Sequence, residues 1–251
     1  MIKKFSNKTA VVTGGTRGIG KAISLRLAQQ GARVFALYGR NRKTAEEFSI
    51  QAKENNLDIV AIRGDLTKEA NFKSVIDELS SKTDAIDILV HSAASGVHKE
   101  SYELSERHMK WTFDINVFAI HNLIRELCIR MSPGSKIVGI TSSGGTRVIP
   151  YYAAVGASKG AMESLFRHYA AELAPKGINV NMVCPGLVLT DAVDAFPDKE
   201  ERLDKVLKAT PSGKLCTPED VASVVEFLCS AESAQIVGQT IVIDGGKTLS
   251  S

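Results

Sequence analysis

The sequence predicts one doubly wound α/β domain, a parallel sheet of seven strands with helices on both faces. Short β-branched or aliphatic runs alternate with longer amphipathic segments along the whole chain, the pattern of repeated βαβ units. Most of the short runs are nearly continuously apolar, as expected of strands covered by helices on both faces. The expected strands are Thr9 to Thr13, Arg33 to Leu37, Ile59 to Arg63, Ile86 to His91, Lys136 to Thr141, Ile178 to Cys184 and Thr240 to Ile243. Right-handed crossovers between them give the doubly wound arrangement.

The helices follow from their ends. Ile19 to Gln30 stops at Gly31 and Lys43 to Asn55 stops in an Asn pair, both with C-terminal capping chemistry. Thr67 is a candidate cap for the next helix. Ser101 to Met131 reads as one long helical segment that stops at Ser132-Pro133-Gly134. Thr217-Pro218-Glu219-Asp220 reads as an N-cap with proline in the first helical position, opening a helix to about Ser230. No Pro/Gly/Ser-rich linker and no fixed-period repeat interrupts the alternation, so residues 1–251 are expected as one domain. Only Gly186 to Gly213 departs from it. Pro197, Pro211 and Gly213 bracket a charged stretch there, which is expected as a lid at the edge where open α/β sheets bind ligands, with a plain surface excursion as the alternative.

Composition narrows the class. With 44% hydrophobic and 24% charged residues the chain is neither disordered nor fibrous. A net charge of +3 without a block of one sign points to neither nucleic acid nor a membrane surface. No run approaches the ~18 apolar residues of a membrane span, and the opening MIKKFSNKTAVV has no signal-peptide core, so a cytoplasmic location is expected. Cys128, Cys184, Cys216 and Cys229 lack C-x-x-C spacing, and the histidines lack an i, i+4 pair, so no metal site is expected.

After the first strand comes Thr13-Gly14-Gly15-Thr16-Arg17-Gly18-Ile19-Gly20, and then a helix. In the order strand, glycine turn, helix, the glycines let the backbone approach a pyrophosphate, and the helix N-terminus offers N–H groups and a partial positive charge to hold it. The spacing is G-x-x-x-G-x-G. Gly14, Thr16, Arg17, Gly18, Ile19 and Gly20 are therefore candidate cofactor contacts. The second strand ends in Tyr38-Gly39-Arg40-Asn41-Arg42, with no carboxylate for a ribose 2'-hydroxyl. Arg40 and Arg42, with Arg17, could surround a 2'-phosphate, which favours NADP(H); a solvated rim of arginines is the alternative. Asp65 and Leu66, after the third strand, are placed to meet the adenine edge.

The loop from Thr13 to Gly20, Asp65-Leu66-Thr67, Asn116, Ser142, Lys159, Pro185-Gly186 and Ile243-Asp244-Gly245-Gly246 together resemble the short-chain dehydrogenase/reductase family over nearly the whole chain. The resemblance implies a Rossmann-type domain, a homotetramer packed through the helices around residues 105–130 and 155–175, and a Ser, Tyr, Lys and Asn catalytic set working on a nicotinamide cofactor. It places Ser142, Lys159 and Asn116 in that set, Lys159 on the nicotinamide ribose, Thr190 near the nicotinamide amide, and Ser92, Ala93, Pro185 and Gly186 along the cofactor. Two departures stand out. The usual Asn-Asn-Ala-Gly after the fourth strand is His91-Ser92-Ala93-Ala94, and the residue four before Lys159 is Val155, where the family usually has tyrosine.

Tyr152 lies seven before Lys159, a spacing that keeps the two on one helical face but about 10.5 Å apart along the axis, against about 6 Å for four residues. A ketone takes hydride on the carbon that bears its oxygen. An α,β-unsaturated thioester takes it on the β-carbon while charge gathers on the carbonyl oxygen, so a displaced phenol suits the second reaction. Tyr-x6-Lys resembles the enoyl-acyl-carrier-protein reductases of the family, and HSAASGV, YYAAVGASKGAMESL, TDAVDAFP, ATPSGK and GQTIVIDGG look like their NADPH-dependent branch III. The resemblance implies NADPH-dependent reduction of trans-2-enoyl thioesters carried by acyl-carrier protein or coenzyme A. A 3-oxoacyl or other carbonyl reductase of the same fold, and a nucleotide-binding regulator without turnover, are the alternatives; Tyr151 is the rival phenol.

Overall fold

The computed structural model describes residues 3–190, 193, 196 and 198–249. Seven strands, β1 (Thr9–Thr13), β2 (Arg33–Tyr38), β3 (Ile59–Arg63), β4 (Ile88–His91), β5 (Lys136–Ile140), β6 (Asn179–Pro185) and β7 (Thr240–Ile243), form one sheet. All neighbours are parallel, in the order β3-β2-β1-β4-β5-β6-β7. This is the single doubly wound α/β domain expected from the sequence.

The apolar runs are explained by two cores. From β1, Val11 joins Phe35, Ile62, Leu89, Ile137 and Met182 on one face, under α3 (Glu69–Lys82), α5 (Ala119–Leu127) and α6 (Ala153–Leu173). Val12 turns the other way, to Val34, Val90, Val138 and Val183 under α1 (Gly18–Gln29) and α8 (Pro218–Cys229). Successive residues of a strand point to opposite faces, so both must be apolar. The second face is locked by Arg26 of α1 and Lys4, which both pair with Glu226 of α8. Helix α8 starts where the sequence signals it. The Thr217 hydroxyl accepts the Asp220 N–H at 3.1 Å, and the Asp220 carboxylate accepts the Thr217 N–H at 2.9 Å.

Two local expectations fail. Thr67 does not cap α3; its hydroxyl and N–H both donate to Asp65 Oδ1, at 2.7 and 3.1 Å, closing a local Asx turn instead. The stretch from Ser101 to Met131 is not one helix. A 3-10 turn (Ser101–Glu103) precedes α4 (Glu106–Phe113), whose N-cap Ser105 forms a capping box with His108. Then comes a π-turn at Asp114–Phe118, α5, and a 3-10 turn at Cys128–Arg130. The remaining helices are α2 (Arg42–Glu54) and α7 (Lys199–Lys208).

Strands β1 and β4 are neighbours, but β1 leads to β2 on one side and β4 to β5 on the other. The crevice beyond their carboxyl ends is the switch point at which open α/β sheets bind ligands. Among the described residues no helix is long and apolar enough to cross a membrane, and no three of His, Cys, Asp or Glu come together as a metal site.

Candidate active site

Thr13 and His91 end β1 and β4 opposite each other in register, and their side chains join through Thr13 Oγ1 and His91 Nδ1 at 2.9 Å. Thr13 Oγ1 also accepts the Ala93 N–H at 3.1 Å, so β4 runs on into Ser92-Ala93 against the glycine loop. Gly14, at φ +64°, is required there: a Cβ on it would come within 3.0 Å of Ala93 Cα and N. Thr16 is buried, Arg17 is exposed, and Ile19 is half-buried. A Cβ on Gly18 would meet the Thr190 methyl at 3.4 Å, so the glycine loop and the chain after β6 share one wall. Arg17, the N-cap of α1, is extended and makes no side-chain cap, and the first turn has no acidic residue. A helix N-terminus without a side-chain cap or a first-turn carboxylate, at the switch point of the sheet, fits an anionic pyrophosphate.

Beyond the carboxyl end of β2, the Arg40 guanidinium lies over the Trp111 ring at 6.0 Å. Arg42 pairs along α2 with Glu46, its Nε 2.7 Å from the carboxylate, whereas the charge of Arg40 acts on Asp65, which follows β3. Burial would raise the Asp65 pKa, but the two bonds from Thr67 and the charges of Arg40 and Lys68 outweigh it and hold the carboxyl below its usual range. Leu66 packs against the core beside it. Pro185 closes β6, and Gly186 lies against Asp244, with no room for a Cβ beyond 3.0 Å from its Cα.

The catalytic candidates meet across β5, the π-turn and α6. Tyr152 is not inside α6 but is its N-cap, at φ −116° and ψ 8°, after Tyr151 at φ +60°. The Tyr152 carbonyl accepts the Gly156 N–H at 2.7 Å, so Tyr152 stands at the N-terminal end of the helix that carries Lys159, and the left-handed backbone at Tyr151 leads into it. The Tyr152 phenol meets the Ser142 hydroxyl, which lowers its pKa, but burial dominates and raises it overall. Ser142 Oγ also accepts the Gly144 N–H at 3.2 Å. Val155 is buried, and one of its methyls fills the place a Cβ on Gly96 would take, so the family's usual tyrosine position is core.

Lys159 is 4% exposed, with Nζ donating to the Ile140 carbonyl at 2.7 Å. Burial pushes its pKa down to about 8, against the opposing charge of Glu163 and the nearby Cys184 thiol. Asn116 is fully buried in the π-turn. Its amide donates to the Ser95 carbonyl and to Ser158 Oγ, both at 2.9 Å, and its Oδ1 accepts the Ser95 N–H at 3.0 Å. That clamp ties the loop after β4 to α6 and accounts for the break in the expected long helix.

The sequence reading missed several of these residues. Thr141 and Glu163 are bonded at 2.6 Å beside Lys159, and only the lone carboxylate in the apolar run Gly160-Ala161-Met162-Glu163-Ser164-Leu165 hinted at them. His98 and Phe196 form an aromatic group with Tyr152, with Phe196 stacked on the phenol at 5.8 Å and His98 4.4 Å from Phe196. Arg202 of α7 covers the outer face of Phe196 at 4.2 Å. No local pattern marks contacts between segments so far apart. Residues 191, 192, 194, 195 and 197 of the expected lid lie outside the described residues.

Comparison with known proteins agrees with this arrangement. A family model described as enoyl-(acyl carrier protein) reductase matches residues 14–248. A 1-cyclohexenylcarbonyl-CoA reductase of Streptomyces collinus is 30% identical over 244 residues, covering 96% of this chain and 87% of its own. A 3-oxoacyl-[acyl-carrier-protein] reductase of Staphylococcus epidermidis is 32% identical over 244 residues, covering 96% and 98%. The crystal structure of a short-chain dehydrogenase from Burkholderia cenocepacia in complex with NADP superimposes with a TM-score of 0.87 at 29% identity, covering 98% of this chain and 99% of that one. The strand order, the glycine loop at the switch point and the matches over nearly the full length agree, and the chain belongs to the short-chain dehydrogenase/reductase family of nicotinamide-dependent oxidoreductases.

Proposed function

We propose that this protein reduces trans-2-enoyl thioesters, presented by acyl-carrier protein or coenzyme A, to acyl thioesters with NADPH. The observation that carries the reading is the pair Tyr152 and Val155. The usual tyrosine position is packed against Gly96, and the phenol instead stands at the mouth of α6 beside Ser142. The Streptomyces relative, named for a cyclohexenylcarbonyl thioester, supports it. The relatives named 3-oxoacyl-[acyl-carrier-protein] reductase favour a second reading, ketone reduction by the same residues, and taken alone the curated names lean that way.

A bound NADPH would supply the hydride that the β-carbon takes. The chain's own residues do the rest. The first-turn amides of α1 hold the pyrophosphate, with Gly14, Thr16, Gly18, Ile19 and Gly20 shaping the approach and Ser92, Ala93, Pro185, Gly186 and Thr190 lining the path. Arg40, with Arg17, takes the 2'-phosphate, and Asp65 and Leu66 border the adenine. The Lys159 ammonium anchors the ribose. Tyr152 donates a hydrogen bond to the thioester carbonyl, oriented by Ser142, and stabilises the charge that collects on that oxygen as the β-carbon is reduced; the enolate then takes a proton from solvent at its α-carbon, which completes the acyl thioester. Asn116 fixes the wall between the loop after β4 and α6. Phe196 and α7, within residues 186–213, cover the acyl site, and the assembly is a cytoplasmic homotetramer.

The test is NADPH oxidation by the purified protein with a trans-2-enoyl and a 3-oxoacyl thioester of equal chain length, each repeated with NADH. Turnover of the enoyl substrate, lost in Tyr152→Phe with cofactor affinity retained, is expected. Turnover of the 3-oxo substrate alone overturns the reading in favour of the ketoreductase.

A further inference from the structure

Lys159 has a buried companion for which the proposed chemistry has no use so far. Glu163 lies one turn further along α6 and is 7% exposed. Its Oε1 accepts from Thr141 Oγ1 at 2.6 Å, at the end of β5, one residue after the Ile140 carbonyl that takes the Lys159 ammonium at 2.7 Å. The two charged groups thus hang on consecutive residues of one strand end. The same carboxylate lies over Gly145, where a Cβ would come within 2.9 Å of Oε1, and a Cβ on Gly160 would come within 3.0 Å of the Gly145 carbonyl. The turn after Ser142 is therefore pressed flat on α6, and water is kept from the carboxylate.

A buried carboxylate is costly unless it is hydrogen-bonded and set against positive charge. A neutral glutamine would satisfy Thr141 equally well. Charge at this position serves something charged, and Lys159 is the nearby cation that raises the question. The titratable groups facing Lys159 are Glu163 on its own helix, Cys184 on β6 and His91 on β4. The Cys184 thiol, pushed up to about 11 chiefly by burial, is neutral at physiological pH, and His91 is uncharged there. Of these three groups among the described residues, Glu163 is the one that supplies counter-charge.

We propose that Glu163 is a positioning residue acting through Lys159: its carboxylate supplies the counter-charge for the ammonium, and Thr141 fixes the carboxylate at the strand end. The inference rests on the role given to Lys159 above and holds whichever thioester is reduced. Without Glu163 the lysine would lose its proton at a lower pH than it does with Glu163 in place, and with it the charge presented to the ribose and the phenol.

Two readouts test it without turnover. In protein labelled at lysine 13Cε, the Lys159 resonance, assigned with Lys159→Met, is titrated by NMR in wild type, Glu163→Gln and Glu163→Asp. Glu163→Gln is expected to titrate at least one pH unit below wild type and Glu163→Asp to recover most of the shift; an unchanged titration overturns the proposal. NADPH affinity is then followed from pH 6 to 9 by its fluorescence. Glu163→Gln is expected to bind within about 2-fold of wild type at pH 6 and 5- to 10-fold more weakly at pH 8. Equal loss at every pH overturns it in favour of a packing role. Thr141→Val, which keeps the charge, checks folding of the segment and is expected to leave the lysine titration within half a pH unit of wild type; a shift as large as that of Glu163→Gln assigns the effect to the bond and overturns the role of the charge. Absence of enoyl reduction changes none of these results, so failure of the proposed reaction and failure of this proposal are told apart.

Discussion

The Tyr152 ring lies directly on Gly144: a Cβ at that glycine would come within 2.5 Å of Cδ1 and 2.6 Å of Cε1. The phenol is thus placed from below by the absence of a side chain. Gly144→Ala is expected to push the ring along or off its rotamer, and displacement of a reacting group by about 1 Å lowers kcat by about 10- to 100-fold. The dissociation constant for NADPH should stay within about 2-fold of wild type, because Gly144 is not among the residues proposed to hold the cofactor. Steady-state kinetics and a cofactor titration on the same preparation check it.

Val155→Tyr restores the family's usual spacing and is expected to fail. A Val155 methyl already occupies the space over Gly96, with Thr112 behind it. Overpacking of about 1–3 kcal/mol corresponds to a Tm lower by about 2–12 °C in a chain of this size. Combined with Tyr152→Phe, the variant should stay inactive toward both thioester classes. Thermal melts and the paired assay read both expectations.

His91 gives stability a pH dependence of known sign. Burial is the main reason that its pKa falls to about 3, with the Lys159 charge adding to it. The unfolded chain binds a proton near pH 6.5 that the folded chain refuses. Stability is therefore full above about pH 6.5 and declines as pH falls toward 3, by about 2 kcal/mol on reaching pH 5. His91→Asn is expected to remove that part of the acid limb. Urea midpoints at pH 7.5 and 5 should differ less in the variant than in wild type, whatever the variant's absolute stability.

Arg40→Ala separates the cofactors. A charge-assisted bond to a 2'-phosphate contributes about 1.5–3 kcal/mol, so NADPH affinity should fall about 10- to 100-fold while NADH affinity moves less than about 3-fold. Because the guanidinium lies over the single tryptophan, Trp111, the change in intrinsic fluorescence on NADPH binding is also expected to differ from wild type.

Most of the fold was legible because its signals are local. The apolar runs locate the seven strands to within about two residues, the end of Thr217-Pro218-Glu219-Asp220 is a capping box, and the glycine loop sits at the switch point. What escaped depends on distant partners. Thr67 has the chemistry of a cap, but Asp65 two residues earlier offers a nearer acceptor. The break at Asp114–Phe118 answers to Ser95 and Ser158, 21 and 42 residues from Asn116. The spacing to Lys159 singles out Tyr152, but its surroundings, the left-handed backbone at Tyr151, Gly144 beneath the ring and Phe196 against its face, are contained in no count of residues.

The π-turn has a consequence for which changes this chain tolerates. It winds one residue more than an α-helical turn would, so α4 and α5 are out of phase by about 100° relative to an unbroken helix. Removing one residue between Asp114 and Phe118 would give a more regular helix with better hydrogen bonding. It would also swing Asn116 away from Ser95 and Ser158 and turn Phe118, now half exposed, across the helix surface. Length here is therefore as constrained as the identity of Asn116: a one-residue deletion that leaves every side chain in place yields a straighter helix and a site whose walls no longer meet.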